Sequence, residues 1–327
     1  MFFAQTADWA EWGRTLMGDL GAQFGAQGFD AAKVSLVVTA PGDFGAVGFA
    51  HRARDLFYPA GMAAPFHLVH GLAAQGRVRA HPDFDRALRD MILWPSDTAA
   101  NYVIDCLTGT TGDTGLEGAE YLDWASKRAK LDLFFWQLGW PEWEGCRIVQ
   151  KQGSDLRYGR EARLAGDFGT GSNTLNAACA ARLLWEMFEG NLPLLGEGAR
   201  RVRALMQRGP ASPDAVFPGY GLAEFLGGDL PAGVKIWSKS TQTGWTGDAK
   251  TAWVKHDMLR LAAHGLRPLH IVMMTQSRAL AQGDGALFPA MGRAIWEKAA
   301  PLLRQTAQEQ PPHHQAAPGA AAKGFET

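Results

Sequence analysis

The chain has 327 residues, 46% hydrophobic and 20% charged, with 32 basic against 33 acidic side chains and a net charge of -1. That length supports a sizeable core in one large or two small domains. The charge balance gives no electrostatic case for nucleic acid or an anionic membrane surface.

In chain order, Trp9, Trp12, Leu16 and Leu20 recur at three- and four-residue spacing and predict a helix over about 7–25. The β-branched run Val34–Val38, stopped by Pro41-Gly42-Asp43, predicts a strand and turn, and about Ala46 to Ala50 completes a hairpin. Segments 66–75, 83–93, 98–107, 119–138 and 176–189 carry apolar stripes and predict a helical block. Glycine-rich turns around Gly109–Gly112 and Gly166–Gly171 interrupt it, and the polar stretch 150–172 reads as a long surface loop. Strand signals return at Val234–Trp237, about Thr251–Leu261 and Leu269–Met274, followed by a helix over about 286–303.

The tail from about 306, with its prolines, alanines and His313-His314, has a disordered composition. Strands from both chain ends must share one antiparallel sheet with helices packed against it, an α+β layered arrangement. Twelve tryptophans are many for the length, and most are expected as core or rim anchors.

Cys106, Cys146 and Cys179 are odd in number and widely spaced, which suggests neither a zinc site nor a disulfide framework. No zinc-protease, G-x-S-x-G, phosphate-loop or dinucleotide motif occurs, so no cofactor or metal is expected. The first residues lack a basic stretch leading into an apolar one, and no segment approaches membrane-span length, so the expected location is cytoplasmic.

Three stretches carry a resemblance. Phe57-Tyr58-Pro59-Ala60-Gly61-Met62-Ala63-Ala64 is similar to the F-Y-P-A-S-x-x-K segment of class A serine β-lactamases and penicillin-recognising peptidases. Pro95-Ser96-Asp97-Thr98-Ala99-Ala100-Asn101 resembles their S-D-N segment with its T-A-A-N continuation, and Lys239 to Thr246 resembles their K-T-G strand. Tyr158-Gly159-Arg160-Glu161 and Ala181–Glu186 look like a subgroup of cytoplasmic serine-hydrolase homologues. The resemblance covers roughly residues 30–300. It implies a β-lactamase/transpeptidase-like fold: one domain over 1–305, with a mostly helical insert at about 60–215 and the tail 306–327 outside it.

The departures bear on activity. In this chemistry a serine attacks a carbonyl and a lysine one helical turn later takes its proton. Gly61 stands at the serine position and Ala64 at the lysine position, and no other S-x-x-K occurs in the chain. With Thr98–Asn101 as anchor, S-D-N falls on Pro95, Ser96 and Asp97. An offset of one residue would restore Ser96-Asp97 as S-D but breaks the T-A-A-N match.

Lys239 matches the K of K-T-G, with three extra residues before Gly244-Trp245-Thr246. In the family this strand edge binds a substrate carboxylate and helps form the oxyanion hole. Lys239, with Thr241, Thr243, Gly244, Trp245 and Asp97, could hold an anion. A Lys239–Asp97 ion pair filling the old pocket is the structural alternative, and both stay open here. The deacylating E-x-x-L-N is absent, and Glu161 reads as a loop surface residue. His67 could approach the pocket one turn beyond Ala64, although lone histidines on such helices are more often structural. His256-Asp257 is expected to pack or hydrogen-bond.

The resulting expectation is a pseudoenzyme of the β-lactamase fold whose former groove binds a small anionic ligand or a protein partner. Loss of the serine and lysine side chains should make the pocket deeper. Two alternatives remain: an active amide or ester hydrolase using Ser96 or Ser240 with Lys239, and a scaffold subunit presenting its tryptophans.

Overall fold

The computed structural model describes residues 1–74, 82–111, 114–167, 173–194 and 196–304. The tail from 306 and the glycine-rich segments at Gly112 and Phe168–Gly171 lie outside the described residues.

Helix α1 (Ala7–Phe24) starts where Thr6 Oγ1 accepts the Trp9 N–H at 3.4 Å, satisfying a free donor of the first turn. Strands β1 (Val34–Gly42) and β2 (Gly45–His51) form the expected hairpin. The helical block then runs α2 (Ala64–Ala73), α3 (Pro82–Leu93), α4 (Asp97–Thr108), α5 (Gly118–Arg128), α6 (Lys130–Trp136), α7 (Gly159–Asp167), α8 (Ala177–Phe188) and α9 (Gly196–Met206). The two-residue strand β3 (Gln207–Arg208), β4 (Lys235–Gln242), β5 (Val254–Ala262), β6 (Leu269–Gln276), α10 (Arg278–Gln282) and α11 (Leu287–Leu303) complete it.

The sheet order is β2-β1-β6-β5-β4-β3, with every pairing antiparallel. The chain ends meet at β1–β6, where Val37 lies opposite Val272. Side chains alternate faces along a strand. Leu36 and Val38 of β1, with Ile271 and Met273 of β6, pack against Trp12 and Leu16 of α1 and Ile295 of α11. Val37, Val272 and Met274 face the other way, into the core of the helical block with Leu183 and Leu184 of α8. A sheet covered on both faces explains the near-continuous apolar runs of β1 and β6.

The sequence expectations differ from the structure in two places. The helix predicted over 119–138 is two helices meeting at Ala129. The described part of the stretch expected as a surface loop, 150–167, is not one. A 3-10 turn at Gly153–Arg157 leads into α7, and Gln150, Lys151, Gln152 and Glu161 are buried. The cause is a buried charge cluster: Arg128, fully buried, lies 2.8 Å from Glu161 and 3.3 Å from Asp105, and Asp105 also pairs with Lys151 at 2.8 Å. Charged groups enter a core when they are paired there.

Candidate functional site

Helix α2 is buried almost all round, from Ala64 through Val69, which makes it the central helix of the block. Its entry is fixed from both sides. Phe57 exchanges two main-chain hydrogen bonds with Leu175, and the Tyr58 carbonyl meets His256 Nε2 at 2.8 Å. Because His256 Nδ1 accepts the Thr275 N–H at 3.1 Å, the ring proton sits on Nε2 and is donated to Tyr58. His256 thus serves the hydrogen-bonding role expected of it, and burial pulls it down to about 4. Between Pro59 and Gly61 the backbone is strained: Ala60 has φ +44°, a left-handed conformation unfavourable for a residue with a Cβ.

This turn aims Gly61 at β4. The Gly61 N–H donates to Thr241 Oγ1 at 3.1 Å, and a Cβ on Gly61 would lie 3.1 Å from that oxygen and 3.8 Å from Lys239 Cε. The expected deeper pocket is not left there, because the Thr241 hydroxyl occupies the space beside the glycine.

Gly61 and Ala64 form one wall of a cleft of about 360 Å³. The turn Trp94-Pro95-Ser96-Asp97 forms a second, and Lys239, Thr241 and Thr243 of the β4 edge a third. Three separated stretches of sequence therefore converge on one cavity. Gly244 and Trp245 are not among its walls. The Gly244 carbonyl accepts the Trp253 N–H, and Trp245 is 63% exposed beside Trp253. Thr246 and Thr251 line the cleft instead, with Tyr58, Gln152 and Arg157. Tyr58 belongs to the Phe57–Ala64 motif. Gln152 and Arg157 were missed because their polar segment carries no periodicity that signals burial.

The retained lysine lines the cleft, and its ammonium is engaged by main-chain carbonyls. Lys239 Nζ donates to the carbonyls of Met91 (2.8 Å), Ile92 (3.1 Å) and Trp94 (3.3 Å). Three ammonium protons meet three acceptors at the C-terminal end of α3, where the helix leaves carbonyls unpaired and its dipole favours a cation. Burial, and next the charge of Arg208, pull this ammonium down to about 7. No Lys239–Asp97 ion pair forms among the described residues, and the three carbonyls engage the ammonium protons.

Ser96 is the N-cap of α4, its Oγ accepting the Ala99 N–H at 3.2 Å. Ser240 Oγ donates to the Gly221 carbonyl at 2.7 Å. Asp97 lines the cleft; burial raises its carboxyl above the usual carboxylate range, Lys239 opposes that and Asp155 adds to it.

Burial corrects one sequence expectation and agrees with the structural reading of another. Glu161 is not on the surface but fully buried against Arg128. His67 does not line the cleft: it is fully buried in α2, and neither ring nitrogen has a hydrogen-bond partner among the described residues. Burial, then the nearby His70 and Arg128 charges, pull His67 down to about 3. Below about pH 6.5 the unfolded chain therefore binds a proton that the folded chain refuses until about pH 3, and this site removes about 1.4 kcal/mol of stability per pH unit across that window. His67→Leu is expected to stabilise the protein by about 2–3 kcal/mol more at pH 4.5 than at pH 7.5. Urea unfolding at the two pH values measures this, and an equal effect at both would contradict it.

No protein-family profile and no curated protein sequence matches the chain. Solved structures do. A β-lactamase from Xanthomonas campestris pv. campestris str. ATCC 33913 superposes with a TM-score of 0.60 at 14% identity, covering 88% of this chain and 97% of its own. One from Desulfarculus baarsii DSM 2075 gives 0.58 at 17% identity, with coverages of 87% and 96%. An ancestral (GNCA) class A β-lactamase gives 0.59 at 16% identity, with coverages of 86% and 99%. The likeness establishes the fold, an α+β arrangement of the β-lactamase type. Among the described residues no helix is long and apolar enough to cross a membrane.

Proposed function

We propose that this chain, built on the β-lactamase fold, is a non-covalent binding protein that holds a small ligand in the cleft and performs no acyl transfer. The observation that carries this reading is at Gly61. The position where the fold's enzymes present a hydroxyl has no side chain, and its N–H, the natural oxyanion donor, already donates to Thr241 Oγ1. An oxyanion hole works by donors free to meet the developing charge. With Ala64 in place of a base, neither the nucleophile nor the proton acceptor is present at those positions.

A second reading, an amide or ester hydrolase using Ser96 or Ser240, draws support from Lys239, whose value near 7 would suit a general base. Its three protons are engaged by α3 carbonyls, however, and Ser96 and Ser240 are hydrogen-bonded elsewhere. That geometry favours the non-covalent reading.

Intact mass measurement after incubation with a penicillin and with a fluorophosphonate is the direct test. No adduct is expected, and one at Ser96 or any other residue would overturn the proposal. The superposition behind it has its own check. Gly61→Ser with Ala64→Lys restores the pair, but a serine Cβ would press on Thr241, so Thr241→Ala must accompany them. The triple variant is expected to gain a covalent penicillin adduct that the double variant forms far more slowly. A folded triple variant that never acylates would count against the superposition.

A further inference from the structure

The three cysteines stand far apart in the sequence, but the fold brings two of them to one place. Arg147 and Thr174 exchange main-chain hydrogen bonds of 2.7 and 2.9 Å, which sets Cys146 beside the Leu175-Asn176 entry to α8. Asn176 caps that helix, and its one carboxamide touches both cysteines. Its Oδ1 accepts the Cys179 N–H at 2.7 Å, and its Nδ2 donates to Cys146 Sγ at 3.3 Å. The two thiols are themselves hydrogen-bonding neighbours, and that contact, after burial, pushes the Cys179 thiol up. Cys179 is fully buried, whereas Cys146 is 8% exposed. Cys146 forms part of the wall of a groove of about 860 Å³, together with Leu56, Trp136 and Trp143. This groove shares no lining residue with the cleft. Cys106 is on α4, hydrogen-bonded to Tyr102 instead.

We propose that Cys146 and Cys179 are a redox-active dithiol, which a peroxide entering the groove converts to a disulfide, and that this modification site is independent of the cleft. Cys146 reacts first, because its sulfur opens to the groove and Cys179, buried among apolar groups, presents no thiolate to solvent. With hydrogen peroxide, Cys146 Sγ breaks the O–O bond, keeps one oxygen as a sulfenic acid and releases a water. Cys179 Sγ then displaces the hydroxyl from that sulfur, the S–S bond forms, and the Cys179 proton leaves with the hydroxyl as a second water. The protein loses two hydrogens and the peroxide is reduced to water. Oxidation strands no polar group. Cys146 Sγ ceases to donate to the Glu142 carbonyl at 3.6 Å, but that carbonyl keeps Asn176 Nδ2 at 3.1 Å. The sulfur lone pair still accepts from Asn176. The new bond ties the turn before Arg147 to α8 across 33 positions of chain, beside Leu175, whose main chain is bonded to Phe57.

Titration of the folded full chain carrying Cys106→Ser with hydrogen peroxide, read by intact mass and by peptide mapping without reduction, tests this. The expected product is lighter by about 2 Da, joins the peptides that contain Cys146 and Cys179, and reverts with dithiothreitol. Its thermal midpoint is expected to lie roughly 5 °C above that of the reduced protein. Cys179→Ala should stop the reaction at a sulfenic acid on Cys146 that dimedone traps, and Cys146→Ala should leave Cys179 unmodified. The parent chain supplies the reference thiol, Cys106. Failure of the pair to react under peroxide that oxidises Cys106 would overturn the proposal. So would a Cys146 that proceeds to sulfinic acid beside a free Cys179, or a Cys179 oxidised in Cys146→Ala as fast as with Cys146 present. An oxidised form that melts below the reduced one would do the same, since the native backbone would then have to distort to close the bond.

Discussion

Arg128→Met is expected to destabilise the protein by about 3–5 kcal/mol, enough to threaten folding. Arg128 and Glu161 are both fully buried and lie 2.8 Å apart. Removing the guanidinium leaves Glu161 as an uncompensated carboxylate in the core. It also frees Thr110 Oγ1 from its 2.9 Å bond and withdraws a cation from Asp105. Replacing both members of such a pair by apolar groups is far less harmful than removing one. Arg128→Met with Glu161→Leu should therefore recover much of the loss. Equilibrium urea unfolding of the three proteins gives the comparison, and a single variant within about 1 kcal/mol of the parent would refute the account. The consequence reaches the cleft. The Glu161 cluster holds down the segment that carries Gln152 and Arg157 through the Lys151 N–H bond to Glu161 at 3.3 Å, so ligand affinity should fall with the single substitution even where the fold survives.

Lys239→Met is expected to cost about 2–5 kcal/mol, through lost capping rather than lost ligand binding. The ammonium joins the β4 edge to the end of α3, and without it the Met91 and Trp94 carbonyls lose the donor described above. The Ile92 carbonyl retains Arg208 Nη2 at 2.7 Å, so the damage should concentrate on the other two. Hydrogen exchange or proteolysis would show the C-terminal turn of α3 loosening first. Stability unchanged by Lys239→Met, with ligand affinity abolished, would mean that the amine faces the cleft after all.

How far these arrangements were legible in the sequence varies with the kind of interaction. Strands β1 and β6 were readable because a sheet covered on both faces writes an unbroken apolar run, and α1 and α11 because one buried face writes a three-four spacing. Chain order alone forced both ends into one sheet. The Phe57–Ala64 segment marked where the central helix begins, and the glycine and alanine within it marked what the cleft lacks. These are properties of a residue and its near neighbours along the chain.

The tertiary structure decided the rest. Lys239 meets main-chain carbonyls of residues 91, 92 and 94, and any side chains at those positions would offer the same oxygens, so no sequence pattern could name the partner. Glu161 looked solvated because its cation lies 33 positions earlier, on α5. The Thr241 hydroxyl beside Gly61 bridges 180 positions. Periodicity records which face of an element is buried; it carries no record of which single polar group, brought close only when the sheet and helices pack, will satisfy another.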